Sequence, residues 1–191
     1  MRTAVYPGSF DPLHIGHKSI IEHLCRMERF DCVRLIVSPQ SPFKDAGKAC
    51  NAEERFEAAM ESVRKLKASD GLYDRKIVVD DIELKMPAPH YTLRTLAALR
   101  EMHPDSSFTL AIGADQLADF RKWDHYDRIL LEFGIIVFPR RGFDSAALAS
   151  ALKKENPAYV IDLADAPIVT ISSTEIRSAE ALGEDMSHVR F

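Results

Sequence analysis

The sequence predicts an α/β fold built on one parallel sheet that has helices on both faces. Short apolar segments of strand length alternate along the chain with longer segments whose apolar residues recur at helical spacing. The strand-like segments are apolar throughout rather than at every second position, which is typical of strands buried on both faces. We therefore expect a single Rossmann-like, doubly wound parallel sheet, with residues 1–191 forming one domain.

The first half of the chain contains three predicted strands, at residues 3–6, 33–38 and 76 to about 84. A first helix is predicted to begin near residue 14, because apolar residues between 20 and 25 recur at helical spacing. A second helix follows Asn51, which has Glu54 at the spacing of a capping box. A third helix follows Tyr91 and Thr92.

The second half contains predicted strands at residues 108–112, 134–138, 159–161 and 168–171. Helices are predicted near 123–130, at 145–154 and from 172 onward. Ser172 and Glu175 have the spacing of a capping box, and Gly183 is a natural helix stop. In an open α/β sheet, ligands bind beyond the carboxyl ends of the strands, and most of the unusual residues follow those ends. The sequence therefore predicts one site at one edge of the sheet.

Composition excludes several classes of protein. The 191 residues are 46% hydrophobic and 28% charged, as in a soluble globular domain. A net charge of −4 without a basic block argues against a nucleic-acid-binding protein. The sequence has no apolar run of 18 residues, so no membrane span is predicted. Cys25, Cys32 and Cys50 fit neither a CxxC pair nor a disulfide framework, so a reducing cytoplasm is the expected compartment. The oligomeric state is left open, and a homo-oligomer is compatible with the sequence.

The segment from Tyr6 to His17 is predicted to bind phosphate. Gly8 allows close approach of the backbone, and free N–H groups at a helix start, together with His14 and His17, can donate to phosphate oxygens. At the other end of the chain, residues 172–174 repeat this arrangement with hydroxyl groups. The two segments would then form a clamp for a polyphosphate. The competing interpretation is an ordinary loop and an ordinary helix cap.

Three residues between these segments have two interpretations each. Asp115 could accept hydrogen bonds from a ribose or cap a helix, and Lys44 could reach an anionic group or remain solvated. Trp123 could stack on an aromatic ring, although its spacing with Tyr126 and Leu130 favours the core. The chain has no P-loop and no nucleophile elbow. The histidine pair has no cysteine or carboxylate at ligand spacing, so no metal site is predicted.

The two end segments resemble the signatures of the HIGH-type nucleotidylyltransferases. Residues Gly8 to His17 resemble the pattern G-x-F-x-P-x-H-x-G-H, and residues Ile171 to Arg177 resemble I-S-S-T-x-I-R. The first segment is also close to that of phosphopantetheine adenylyltransferases, but those usually carry Thr where this chain has His14. Both signatures occur at the two ends of a chain of matching length, which makes the resemblance specific.

The interior resembles the nicotinate-mononucleotide adenylyltransferases. Residues Ser41 to Lys44 resemble S-P-H-K, with Phe43 in place of the histidine. Residues Tyr91 to Leu96 resemble Y-T-x-x-T-L, and the segment from Ile112 to Trp123 resembles the G-x-D and F-x-x-W patterns. The resemblance implies one nucleotidylyltransferase domain that transfers the adenylyl group of ATP to nicotinate mononucleotide, with Mg²⁺ carried on ATP.

The resemblance also implies roles for individual residues. The implied catalytic residues are His14, His17, Lys44 and Arg177. The implied ATP-binding residues are Gly8, Ser9, Phe10, His14, His17, Gly113, Asp115, Ile171, Ser172, Ser173, Thr174 and Arg177. The implied substrate-binding residues are Lys44, Tyr91, Thr92, Thr95, Trp123 and Arg141.

The chemistry of the implied reaction needs no general base. The attacking phosphate monoester has a second pKa of about 6 and is mostly dianionic at neutral pH. The reaction needs alignment of two anions and stabilisation of charge on the leaving pyrophosphate, which suits histidines as hydrogen-bond donors. Three alternatives stay open at this point: adenylyl transfer to nicotinamide mononucleotide, the same transfer to phosphopantetheine, and a nucleotide-binding regulator without turnover.

Overall fold

The computed structural model describes residues 1–39, 51–168 and 170–191. Within those ranges, six parallel strands form one sheet in the order β3-β2-β1-β4-β5-β6. The strands are β1 (Arg2–Gly8), β2 (Cys32–Val37), β3 (Ile77–Asp80), β4 (Ser107–Gly113), β5 (Ile135–Phe138) and β6 (Ile161–Leu163). The predicted doubly wound, Rossmann-like sheet is therefore confirmed. Lys44 and the segment around it lie outside the described residues.

Helices cover both faces of this sheet. The α-helices of the described ranges are α1 (Ile15–Arg26), α2 (Ala52–Ser69), α3 (Gly71–Lys76), α4 (Ile82–Lys85), α5 (Thr92–Met102), α6 (Ala114–Ala118), α7 (Tyr126–Glu132), α8 (Ser145–Glu155) and α9 (Ser173–Ala181). Short 3₁₀ turns lie at Phe120–Lys122 and Ser187–Val189. None of the helices described is both long enough and apolar enough to cross a membrane.

Side chains at the helix ends explain several of these boundaries. Asn51 caps α2 by accepting a hydrogen bond from the Glu53 N–H at 3.2 Å, as predicted. Ser172 and Glu175 form the predicted capping box of α9: the Glu175 N–H donates to Ser172 Oγ at 3.2 Å, and the Ser172 N–H donates to Glu175 Oε2 at 2.8 Å. Gly183, predicted to stop this helix, follows it with φ of +86°, a conformation that favours glycine.

Three local predictions were wrong. Residues 82–85 form a helix rather than the end of a strand, because Asp80 Oδ1 accepts the Ile82 N–H at 2.8 Å and starts a new turn after β3. Ile168, Thr170 and Ile171 form no strand. The strand predicted at 159–161 occupies Ile161–Leu163 instead. Residues 82–85 alternate apolar and charged side chains, which is the pattern of a strand, and the apolar runs at 159–161 and 168–171 are too short to show a period.

The core consists of two apolar clusters, one on each face of the sheet. Successive strand residues alternate between them: Val5 and Ile36 belong to one cluster, and Ala4 and Leu35 belong to the other. This double burial explains why the strands are apolar throughout. β1 pairs with β2 on one side and with β4 on the other, so the order in which strands are added to the sheet changes direction between these neighbours. A crevice is expected beyond the carboxyl ends of those two strands.

Candidate active site

A cleft of about 1140 Å³ opens at the carboxyl ends of β1 and β4. Many residues that the sequence assigned to a site line this one cleft although they come from both halves of the chain. Those residues are Gly8, Ser9, His14, His17, Tyr91, Thr92, Gly113, Asp115, Trp123, Ser172, Ser173 and Thr174. The topology brings them together because parallel strands end at the same edge of the sheet.

The two histidines at the start of α1 hold each other in one orientation. His14 is the N-cap of α1, and its Nδ1 accepts the Gly16 N–H at 3.1 Å. The backbone N–H of His14 donates in turn to Nδ1 of His17 at 3.3 Å. Since both Nδ1 atoms are acceptors, each neutral ring carries its proton on Nε2. Both imidazoles therefore have an N–H group that no contact within the α1 cap uses.

Both rings are neutral at pH 7. Burial lowers the pKa of His14 from 6.5 to about 4, and the positive charge of Arg140 acts in the same direction. Burial also holds the pKa of His17 well below its ordinary value, with His14 and Arg140 contributing. The ring centroids of His14 and His17 are 3.8 Å apart, a spacing that disfavours a charge on either ring. The rings can thus donate hydrogen bonds without being cations.

Phe10 supports this arrangement from behind and does not line the cleft. Its ring is buried and packs edge-on against Tyr6 and His17, with centroids 5.7 and 5.2 Å away. Its backbone has a φ of +46°, in the left-handed region. A Cβ atom on Gly8 would come within 2.8 Å of the Phe10 ring. Gly8 therefore allows this ring to lie under the loop, in addition to exposing backbone to the cleft.

The start of α9 forms the opposite wall. Ser173 Oγ donates to the Pro12 carbonyl oxygen at 3.2 Å, which ties α9 to the loop after β1. Arg177 donates to the Asp11 carbonyl oxygen and to Thr174 Oγ1, and it lies 3.7 Å from the Asp11 carboxylate. Arg177 does not line the cleft; its side chain contacts Asp11 of the first signature segment. Ile171 is partly buried and does not line the cleft either.

Arg140 is a cationic cleft residue that the sequence analysis missed. It follows β5, and its Nε lies 3.6 Å from Oδ1 of Asp115 without a hydrogen-bond partner among the described residues. The resemblance implied a substrate-binding role for Arg141 instead, and Arg141 is exposed and does not line the cleft. Gly113 makes room for this pair, because a Cβ there would come 2.3 Å from Asp115 Oδ1 and 3.1 Å from Arg140 Nε. The Arg-Arg doublet after β5 was the available signal.

The other end of the cleft is formed by α4, α5 and the turn before α7. Tyr91 and Thr92 line it, whereas Thr95 is buried and donates to Glu83 Oε1 at 2.7 Å. Glu83 itself lines the cleft and was not predicted. Trp123 packs on Phe120, with centroids 4.9 Å apart, and also lines the cleft. The tryptophan therefore contacts the core and is also accessible from the cleft, and its stacking on a ligand ring stays a prediction.

Arg55 is a third unpredicted residue, and it holds the loops of the cleft in place from below. It is 3% exposed. Its guanidinium donates to the carbonyl oxygens of Ser9, Ser38 (2.8 Å) and Pro39 (2.7 Å). These three carbonyls belong to the loops that follow β1 and β2. A single side chain therefore fixes two of the strand ends that meet at the cleft.

Comparison with known proteins identifies the family. A model of the cytidylyltransferase-like family matches residues 5–179. The chain belongs to the cytidylyltransferase-like family. A relative from Bacteroides fragilis, named "probable nicotinate-nucleotide adenylyltransferase", is 37% identical over 187 residues, which are 98% of this chain and 86% of the relative. A relative from Flavobacterium johnsoniae with the same name is 33% identical, covering 97% and 90% of the two chains. The predicted place among the nicotinate-mononucleotide adenylyltransferases is confirmed.

Solved structures agree with this family in their fold. The nicotinic acid mononucleotide adenylyltransferase of Plasmodium falciparum, solved in complex with NaAD, matches with a TM-score of 0.75 at 21% identity. That match covers 93% of this chain and 82% of the other. The same enzyme in complex with APC also gives a TM-score of 0.75 and covers 98% of this chain. At this level of identity the likeness concerns the fold.

In this cytidylyltransferase-like chain, the two signature segments are joined by direct contacts. Ser173 and Arg177 of the second segment bind the carbonyl oxygens of Pro12 and Asp11 in the first. The residues between these two segments in the sequence supply the other end of the cleft. No group of three or more metal-ligating side chains occurs in the part of the chain that the structure describes. The arrangement can align two anionic groups and donate hydrogen bonds to them.

Proposed function

We propose that this protein transfers the adenylyl group of ATP to nicotinate mononucleotide, giving nicotinate adenine dinucleotide and pyrophosphate. An oxygen of the mononucleotide phosphate attacks the α-phosphorus of ATP, and the bond from that phosphorus to the bridging oxygen of the β-phosphate breaks. The pyrophosphate leaves with the electron pair of that bond. The names of the curated relatives support this reaction, which belongs to the biosynthesis of NAD.

The observation that carries the proposal is the pair of Nε2–H donors at the start of α1. His14 and His17 line the cleft as neutral imidazoles whose Nδ1 atoms are both occupied, so their remaining N–H groups are oriented before the nucleotide arrives. Preorganised donors of this kind stabilise charge that develops on a leaving phosphate group. No base is required, because the attacking phosphate is already dianionic at neutral pH.

The two ends of the cleft suit the two substrates. The hydroxyl groups and N–H groups at the start of α9, together with Gly8 and Ser9, face the end at which a triphosphate would lie. Arg140 adds a positive charge there, and Asp115 is available to a ribose hydroxyl. Tyr91, Thr92 and Trp123 line the end where a pyridine ring would lie. We retain Lys44 as the cation for the mononucleotide phosphate on the sequence pattern alone.

Magnesium enters this proposal as part of the substrate, MgATP. A hard cation of this kind is held mainly by phosphate oxygens and water, with few protein ligands. The reducing cytoplasm is the proposed compartment, in keeping with Cys25 and Cys32, which are free thiols.

A pyrophosphate-release assay with ATP and a panel of acceptors tests the proposal. We expect the highest kcat/KM with nicotinate mononucleotide, a lower value with nicotinamide mononucleotide, and none with phosphopantetheine. A protein that binds ATP but releases no pyrophosphate with any acceptor would be a regulator, and the proposal would be wrong. A higher kcat/KM with phosphopantetheine than with either pyridine mononucleotide would also refute it.

A further inference from the structure

Glu83 is a buried carboxylate that faces the cleft, and among the described residues no cation pairs with it. It lies in α4, is 3% exposed and lines the cleft. Its Oε1 accepts a hydrogen bond from Thr95 Oγ1 at 2.7 Å. Across the described ranges, no lysine, arginine or histidine forms an ion pair with it, although fourteen ion pairs occur elsewhere in those ranges. Burying a carboxylate without a balancing charge is costly, so this position calls for an explanation.

The carboxylate is held firmly at the end of the cleft that is lined by Tyr91 and Thr92. Thr95 lies one helical turn after Thr92 on α5, so its hydroxyl group fixes Glu83 beneath the start of that helix. Ile82, the neighbour of Glu83, belongs to the same core cluster as Leu93, and Trp123 packs against that cluster. Glu83 and Trp123 therefore lie on the same face of the sheet and line the same cleft.

We infer that Glu83 supplies the counter-charge for a cationic aromatic ring, and that the site thereby selects acceptors whose ring carries a positive charge. The inference rests on the proposed function, which brings a pyridine mononucleotide to this end of the cleft. In such a nucleotide the ring nitrogen is bonded to the ribose and is permanently positive. A carboxylate out of water interacts with such a charge far more strongly than a solvated carboxylate does.

The competing explanation is that Glu83 only positions α5 through Thr95. The two explanations differ in what happens when the charge is removed and the hydrogen bond is kept. Glu83→Gln retains an amide oxygen that can accept from Thr95 Oγ1 and has nearly the same volume. Thr95→Val does the reverse, because it removes the hydroxyl group and leaves the carboxylate in place.

The test compares two acceptors that differ in ring charge. One is nicotinamide mononucleotide, and the other is its C-nucleotide isostere, benzamide riboside 5′-phosphate, whose ring is uncharged. For Glu83→Gln we expect kcat/KM to fall about tenfold or more with the charged ring and less than twofold with the uncharged ring, with KM for ATP unchanged. We also expect the preference for nicotinate over nicotinamide mononucleotide to increase, because the lost negative charge had opposed the nicotinate carboxylate.

Asp119→Asn is the matched control for loss of one negative charge at this cleft. Its side chain is 64% exposed and pairs with Lys122, so water already screens it. We expect this variant to change the ratio between the two acceptors less than twofold. The inference is overturned if Glu83→Gln lowers kcat/KM equally for both acceptors, or if Thr95→Val reproduces the loss of preference.

Binding separates a failure of this inference from a failure of the proposed function. Trp123 is the single tryptophan of the chain and lines the cleft, so its fluorescence reports the arrival of an aromatic ring. The wild-type protein could show no turnover and still bind the charged ring about tenfold more tightly than the uncharged one. If Glu83→Gln then abolishes that difference in affinity, the inference is supported and the proposed reaction is refuted. Equal affinity of the wild-type protein for both rings would overturn the inference, whatever the turnover.

Discussion

Replacing His17 by alanine removes one of the two oriented imidazole donors in the cleft. The substitution removes three contacts of the ring and one N–H group. Its Nδ1 accepts the His14 N–H at 3.3 Å, and its ring packs against Phe10 and Tyr6 with centroids 5.2 and 6.2 Å away. Its Nε2–H is the group that we assign to the phosphate charge. The three contacts concern stability and the N–H group concerns turnover, so the two consequences can be measured separately.

The expected losses differ in size. Removing one preorganised donor to a developing charge costs about 10²- to 10³-fold in kcat, which corresponds to roughly 3–4 kcal/mol of transition-state stabilisation. Leaving the His14 N–H without its acceptor costs about 1–3 kcal/mol of folding free energy. His17→Asn can restore an acceptor near that N–H but cannot place a donor at the same reach as Nε2. We therefore expect His17→Asn to recover much of the stability and little of the turnover.

Pyrophosphate release at saturating ATP and acceptor gives kcat, and urea denaturation followed by Trp123 fluorescence gives the free energy of unfolding. His188→Ala is a suitable control, since that histidine is exposed in a 3₁₀ turn near the chain end. We expect kcat of the control to stay within twofold of the wild-type value. If His17→Ala keeps near-normal kcat, the role that we give this histidine is wrong. If kcat decreases in proportion to the free energy of unfolding in both His17 variants, the role of His17 is structural.

Three further predictions follow from the structure. Gly113→Ala places a Cβ within 2.3 Å of Asp115 Oδ1 and 3.1 Å of Arg140 Nε. We therefore expect KM for ATP to rise at least tenfold while the fold persists. An unchanged KM would show that this pair does not contact the nucleotide. The pKa of His14 is 6.5 in the unfolded chain and about 4 in the folded protein, so between these pH values the unfolded state binds more protons. The free energy of unfolding should therefore decrease by about 3 kcal/mol through this group as pH falls from 6.5 to 4. Urea denaturation at pH 7, 5.5 and 4 checks the sign, and the His14→Asn variant should show a correspondingly weaker dependence. Arg55→Lys keeps the charge but replaces the planar guanidinium, whose two terminal nitrogens share the carbonyl oxygens of two loops, with a single ammonium nitrogen. We therefore expect a loss of about 2–3 kcal/mol in unfolding free energy and a fall in kcat, against no change for Arg64→Lys on the exposed side of the same helix.

The sequence was most informative where the chemistry is local. Gly8, His14 and Ser172 could be assigned to one site because each follows a predicted strand or begins a predicted helix, and parallel strands end at one edge. The capping box of Ser172 and Glu175 was predicted from spacing alone, since that interaction spans one helical turn. Residues 82–85 were misassigned because they alternate apolar and charged side chains as a strand does, and four residues are too few to show a helical period.

The sequence was least informative about which way a side chain points and which groups it contacts. The doublet after β5 was visible, but which of Arg140 and Arg141 faces the cleft depends on the turn that follows the strand. The resemblance assigns Arg177 to ATP; its side chain bonds to the Asp11 carbonyl and to Thr174, and its role towards ATP stays a prediction. The spacing of Trp123 favours the core and the resemblance implies a substrate-binding role; in the structure the ring packs against the core and lines the cleft.

By itself, the sequence determined the fold class, the order of the main elements and the two signature segments to which we assign the chemistry. These depend on periodicity, capping and turn residues, which act over a few positions of the chain. Only the tertiary structure decided that the two histidines are neutral, that Arg55 joins two loops and that Glu83 faces the cleft with no cation paired to it among the described residues. Those properties arise from burial and from contacts between segments far apart in the chain, and no local pattern encodes them.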